Sequence, residues 1–397
     1  MDFSERTPRL KPSATNAMAT KAKELKATGR SVVSFTTGEP DIDSPEAARR
    51  GAIEAIQAGR THYTVTGGVP ELKKAVADYY RRHFHQEYGA GEILCGTGAK
   101  QLLFEAMGAL VNPGDEVILF APAWVSYYEQ IRLFDGVPVV LDTRDAGFVP
   151  SPEAFERAIT DRTKAVVLNN PNNPTGRVYP HDVLERIARV ALERDITIIN
   201  DEIYERLVYG GGSFTPHLLE LVPEARGLVL NVNGVSKSFA MTGWRLGYAL
   251  GPAALIRKMS AIQGHVTSNA SSISQWAAVG ALNSAEDDVE AMRVRFEARR
   301  DLAVKLLSGI EGLSFVRPEG AFYVFIDVSR YTGREPGKPF ADDVAFCEAV
   351  LQEKGVGLVP GTAFLSPGYV RLSYSCAEEQ IVEGVERLRA FVEALKA

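Results

Sequence analysis

Lys237 stands directly after an apolar run in LVLNVNGVSKSFAMTGWRLGY, a place where an ammonium is costly to bury. An amine there is either paired or depressed in pKa, and a depressed lysine suits Schiff-base chemistry with a carbonyl. A lone loop lysine is ordinarily a solvated surface residue, so its company matters. Ser236 precedes it and Arg245 follows eight residues on, among glycines; both are side chains that grip a phosphate. Asp201 ends the run ITIIND. It could cap a helix, or lie against a pyridinium nitrogen and keep that ring an electron sink. Tyr204, three residues on, could donate to a ring oxygen or fill the core. The run GTGAK, with Gly98, Ala99 and Lys100, opens a helical stretch whose first amides could cradle phosphate.

These residues need elements to position them, and the sequence supplies a repeated pattern. Five apolar runs each end in a polar cluster: EILC in GTGAK, EVILF in APAW, AVVL in NNPNNPTG, ITII in NDEIY, and LVLNV in NGVSKS. Strands made almost wholly of Val, Ile and Leu are buried on both faces, and spacers such as HDVLERIARVALERD suit crossover helices. Ligands of an open parallel sheet bind beyond the carboxyl ends of its strands, so five loops should converge on one crevice. The expected fold is α/β. A large domain over 46–290 holds a mainly parallel sheet sandwiched by helices. A long helix at about 285–308 leads to a smaller α+β domain, built from 1–45 and 291–397. That domain takes a strand from SVVSFTT, others from GAFYVFIDV, VGLVP and YVRLSYS, and helices at about 340–354 and 377–396.

Composition bounds the function. The 397 residues are 45% hydrophobic and 24% charged, and 44 Lys plus Arg against 50 Asp plus Glu leave a net charge of −6. That sign argues against a sequence-independent hold on nucleic acid. No run of roughly eighteen apolar residues suggests a membrane span, and the N-terminal stretch lacks the apolar core of a secretion signal. Three scattered cysteines fit neither a disulfide framework nor a closed zinc site. The reading is a cytoplasmic protein with no nucleic-acid or membrane partner and no metal. His83 and His85 stand two apart on a helical stretch and so point to different faces. A dinucleotide loop is the first rival for GTGAKQ, but Gln101 holds the place of its third glycine, and Glu116 opens a strand where the ribose acid should close one.

Taken together, SKSFAMTGWRLGY, NNPNNPTG, NDEIY, TTGEPD, GAFYVF and VRLSYS match, in order and spacing, the fold-type I, class I pyridoxal-phosphate aminotransferases, which the chain resembles over essentially its whole length. It is most similar to bacterial aspartate aminotransferases of the subgroup that begins with KPSAT, some of which also use prephenate. The resemblance implies that Lys237 bonds pyridoxal 5′-phosphate covalently and acts as the base, and that Asp201 pairs with the pyridine nitrogen. It implies that Tyr204 and Asn173 bond the ring's 3-oxygen and that Trp124 of APAWVSYYE stacks on the ring. Phosphate would be held by Ser236, Arg245 and the amides of Gly98, Ala99 and Lys100. Tyr63 of THYTVTGG would reach a neighbouring subunit's phosphate, which implies a homodimer with shared sites. Arg371 would clamp the substrate α-carboxylate in a pocket lined by Gly38.

One departure stands out. Better-studied aspartate enzymes present a partner-subunit arginine to the distal carboxylate, from the stretch before the long helix. Here that stretch, AIQGHVTSNASSISQWAAVG, has none. Lys11 and Thr15 of KPSAT match residues that serve this purpose in the look-alike subgroup, and Lys100 is a second candidate. The implied activity is ping-pong amino transfer between an amino acid, aspartate or glutamate first, and a 2-oxo acid. Transaminases of other specificity (prephenate, aromatic, alanine), a C–S lyase, an aminocyclopropane-carboxylate synthase, an aminotransferase-like regulator and, more remotely, an NAD-dependent dehydrogenase are the alternatives.

Overall fold

The computed structural model describes residues 2–4, 6–10, 14–212 and 214–395. Its largest sheet has seven strands, ordered in space Ile93–Gly96, Gly247–Leu250, Val229–Gly234, Thr197–Asp201, Thr163–Asn169, Glu116–Ala121, Val137–Asp142. Only Gly247–Leu250 pairs antiparallel to its neighbours, on both sides, while the remaining pairs are parallel. Two antiparallel steps restore direction, so the other six strands all run the same way. The expected mainly parallel α/β sheet is present, with one reversed strand inside it.

Both faces of this sheet are covered because both sets of alternating side chains are apolar. Ile198 belongs to the core on one face, with Tyr80, Leu184 and Ile187. Ile199 belongs to the core on the other, with Leu103, Tyr127 and Met259. The covering helices carry the matching stripe. Helix His181–Glu193 buries Leu184, Ile187, Ala188 and Ala191, spaced as one face of a 3.6-residue repeat requires. Each of the larger side chains contributes about 1.5–3 kcal/mol by leaving water, so a charge at Ile187 would detach the helix.

A second sheet is antiparallel, ordered Val359–Pro360, Tyr369–Ser373, Tyr323–Asp327, Ser314–Phe315. Its core draws on both ends of the chain, from Met18 and Phe35 to Leu388 and Phe391. Helix Glu286–Ser308 joins the two units. Its Val289 packs in the large-sheet core, while Met292, Phe296 and Leu307 pack in the second. Three acids in its first turn suit the positive end of the helix dipole. Helices Asp343–Lys354 and Glu378–Ala394 match those expected at about 340–354 and 377–396. The strand expected from SVVSFTT is only Val33–Ser34, paired with Val356–Gly357. Past Phe35 the backbone carbonyls of Thr36, Thr37 and Gly38 are taken by the side chains of Arg371, Ser375 and Lys237. That segment leaves the sheet to build a site.

Candidate active site

The polar strand ends converge at the carboxyl edge of the large sheet, around a cavity of about 280 Å³ closed on one side by the second unit. Each loop is rigid for a local reason. In NNPNNPTG, Asn172 Oδ1 accepts from the amide and hydroxyl of Thr175, and Asn169 Oδ1 accepts from the Asn173 amide at 2.8 Å. The loop thus satisfies its own polar groups and turns Asn173 inward. Gly98 precedes helix Ala99–Leu110 with φ of 84°, a conformation that disfavours any residue with a Cβ. A Cβ there would also sit 2.6 Å from the Arg245 guanidinium. Arg245 itself has φ of 52° and is tied to the Thr242 carbonyl at 2.8 Å. Helix amides and guanidinium therefore face one small space, the arrangement an anion requires.

Lys237 donates to the Gly38 carbonyl at 2.6 Å. Burial, seconded by the cations Arg245 and Arg371 and opposed by Glu39 and Asp201, lowers its pKa to about 8. Asp201 is 3% exposed. Its carboxylate accepts from the Tyr127 hydroxyl at 2.6 Å and the Ile203 amide at 3.1 Å. Burial still raises it to about 6. No helix follows Asp201, so it is not a helix cap. Tyr204 is buried, and its hydroxyl meets that of Tyr323 at 2.8 Å.

Arg371 is buried beside the cavity. It donates to Asn173 Oδ1 at 3.0 Å and to the Thr36 carbonyl at 2.8 Å, and its guanidinium lies 4.4 Å from the Tyr323 ring centroid. Its Nε has no acceptor, and no carboxylate among the described residues forms an ion pair with it. Burial lowers its pKa. A buried cation without an anion is expensive unless a ligand supplies one.

Most residues singled out from the sequence line this one cavity: Thr15, Gly38, Ala99, Lys100, Trp124, Asn173, Asp201, Tyr204, Ser236, Lys237, Arg245 and Arg371. Lys100 holds its ammonium 4.7 Å from the Trp124 ring centroid. Tyr63 is not among them; it lies on the surface, 93% exposed. Lys11 lies outside the described residues. The sequence reading missed Asn16, Ser126, Tyr127, Asn169, Ile203 and Tyr323. Tyr127 carried a usable signal, one helical turn beyond Trp124. Among the described residues no group of three His, Cys, Asp or Glu is placed to hold a metal, and no helix is long and apolar enough to cross a membrane.

Set beside known proteins, the chain matches the aminotransferase class I and II model over residues 30–388, and it belongs to that family. It is a transaminase, an enzyme that moves an amino group between an amino acid and a 2-oxo acid. It is 42% identical to an aspartate aminotransferase of Bacillus sp. (strain YM-2), covering 98% of this chain and 99% of that one. It is 45% identical to the aspartate/prephenate aminotransferase of Thermus thermophilus, covering 97% of each. A solved structure of aspartate aminotransferase from Thermus thermophilus with maleate superposes with a TM-score of 0.92, at 43% identity over 98% of this chain and 99% of that one.

Proposed function

We propose that the enzyme is a pyridoxal 5′-phosphate-dependent aspartate transaminase, with Lys237, Asp201 and Arg371 as its central residues. The observation that carries the reading is the buried, anion-less Arg371 facing the same cavity as a lysine depressed to about 8 and a buried carboxylate. The residues suit the cofactor: the Gly98–Lys100 helix start, Ser236 and Arg245 suit its phosphate, and Asp201 suits its ring nitrogen. Tyr204 and Asn173 suit its ring oxygen, and Trp124 its face. Bound there, the cofactor supplies an aldehyde for amine exchange and a ring that accepts the electron pair released at the substrate Cα.

The chain's own groups then do the following. Arg371 clamps the α-carboxylate through two guanidinium nitrogens and so fixes the Cα–H bond relative to Lys237. The Lys237 amine, its pKa brought down to about 8 chiefly by burial, removes and returns the Cα proton. Asp201, held ionised chiefly by Tyr127, keeps the ring nitrogen protonated. One site serves donor and acceptor in turn, which gives ping-pong kinetics.

For the distal carboxylate, support falls on Lys100 and Thr15, which line the cavity, since the stretch before the long helix offers no arginine. The relative solved with maleate is a dicarboxylate complex, in keeping with this choice. Tyr63, exposed in one chain, is proposed to complete a neighbouring subunit's phosphate site in a homodimer. Mixing the loaded protein with single amino acids and following its visible absorbance tests the specificity. Aspartate and glutamate should bleach the band. Bleaching by alanine or phenylalanine while aspartate and glutamate leave it unchanged would defeat the dicarboxylate assignment. Release of ammonia and pyruvate in place of amino transfer would mark a lyase.

A further inference from the structure

Tyr323 has no task in the reading above, yet it is 1% exposed and lines the cavity. Its hydroxyl touches that of Tyr204 at 2.8 Å, although the two come from different units: Tyr204 from the turn after Thr197–Asp201, Tyr323 from the first residue of strand Tyr323–Asp327. The same ring lies under the Arg371 guanidinium. Gly38 lies against the hydroxyl end of that ring, where any Cβ would collide with the Tyr323 oxygen. Tyr323 thus stands between the phenol assigned to the cofactor's ring oxygen and the arginine assigned to the substrate carboxylate.

Proton counting limits what this pair can do. Each phenol has one O–H to donate. The contact between them consumes one, so the pair has one donor left for the cavity. With Tyr323 donating to Tyr204, the free donor is that of Tyr204 and serves the ring oxygen. With Tyr204 donating to Tyr323, the free donor is that of Tyr323, beside Arg371 and the carboxylate. Burial raises both phenols above their ordinary range, so both stay protonated and the choice between the two arrangements persists.

We infer that Tyr204 and Tyr323 form a two-position donor that serves either the cofactor's ring oxygen or the substrate carboxylate, so that Tyr323 couples carboxylate binding to the cofactor. Tyr323 is in this sense a positioning residue for the ring oxygen. The inference rests on the cofactor and Arg371 assignments proposed above. The ionisable groups around the pair are Arg371, Asp201, Lys237, Tyr127 and Tyr374, with Glu39 and Arg245 acting through Lys237. Carboxylate binding also neutralises Arg371, and that contribution survives removal of the Tyr323 hydroxyl.

The test titrates the visible absorbance of the pyridoxal-phosphate-loaded protein against pH. It is done with and without a saturating amine-free carboxylate: succinate, or 3-phenylpropionate if the specificity screen favours an apolar donor. A ring oxygen that loses a donor becomes more basic and retains the linkage proton to higher pH. The carboxylate should therefore raise the midpoint of the parent protein. Tyr323→Phe keeps the ring over which Arg371 lies. Without a Tyr323 hydroxyl donating to it, Tyr204 is a weaker donor to the ring oxygen, so the ligand-free midpoint should rise; the carboxylate-induced shift should shrink to the part that comes from neutralising Arg371. In a Tyr204→Phe background, adding Tyr323→Phe should leave the ligand-free midpoint unmoved. A Tyr323→Phe protein that titrates like the parent in both states overturns the inference alone, as does a Tyr323→Phe effect that persists without the Tyr204 hydroxyl. A parent protein with no visible band overturns the cofactor assignment, and the inference with it.

Discussion

Asp201 and Glu202 are adjacent, both acidic and both buried, yet they occupy opposite faces of the seven-stranded sheet. Asp201 lies on the side of Ile199 and Tyr127, at the cavity wall. Glu202 lies on the side of Ile198 and Tyr80, accepting from the Tyr80 hydroxyl at 2.9 Å and from Asn200 Nδ2 at 2.9 Å. Its one ion-pair-range neighbour among the described residues is His217, at 3.6 Å, whose burial lowers it to about 3. Burial pushes Glu202 up to about 8 and Asp201 only to about 6. At neutral pH these shifts favour the carboxylate at Asp201 and the neutral acid at Glu202. Burial and a tyrosine partner are common to both. What separates them is the neighbouring charge: Asp201 has the Lys237 ammonium across the cavity, while Glu202, in packed core, has the carboxyl of Glu205 beside it.

This contrast is open to attack at several points. Lys237→Ala removes the amine on the cavity side and should cost at least about 10³-fold in turnover. Cofactor should still bind through the phosphate contacts, as measured by absorbance after dialysis. Asp201→Asn should lower turnover by about 10²-fold or more, since a neutral amide cannot hold a ring proton by charge. Glu202→Gln, one position along, should change turnover by less than about threefold, because the native group is already neutral and an amide meets the same donors less one. A large loss in Glu202→Gln would erase the distinction between the two faces. Glu202→Ala should instead act on stability, costing about 1–3 kcal/mol by leaving the Tyr80 hydroxyl and Asn200 amide unsatisfied, measurable by chemical denaturation.

The smallest expected effect is a pH slope. Folded protein keeps the Glu202 proton up to about 8, whereas the unfolded chain releases it near the ordinary 4.5. Across that window unfolding releases a proton, so the stabilisation is complete below 4.5 and lost as pH rises through 8. His217 acts oppositely, its contribution being lost as pH falls from 6.5 toward 3. Between pH 6.5 and 8.5 the Glu202 slope is therefore free of it. Glu202→Gln should lose less stability than the parent over that interval; equal losses would mean that Glu202 is ionised in the fold.

Much of the site was legible because its residues sit at strand ends, where an apolar run passes abruptly into polar chemistry. Lys237, Asp201 and Asn173 each announce themselves in that way. Tyr323 did not, because GAFYVF reads as a plain buried strand. Its meaning comes from Tyr204, 119 residues away, a contact no local pattern encodes. Glu202 presents the opposite difficulty: NDE shows two acids, and strand alternation alone sends one to the cavity and the other to the core. The shortened strand at Val33–Ser34 was hidden for a similar reason, since side chains far along the chain claim the carbonyls that a sheet partner would otherwise take.

The proposed chemistry turns on a bond between the Lys237 amine and the cofactor aldehyde. Borohydride reduction of the loaded protein, followed by digestion and peptide mass mapping, reads that bond directly. A pyridoxyl adduct on the peptide containing Lys237 is the predicted result. An adduct confined to another lysine, or none at all, would contradict it.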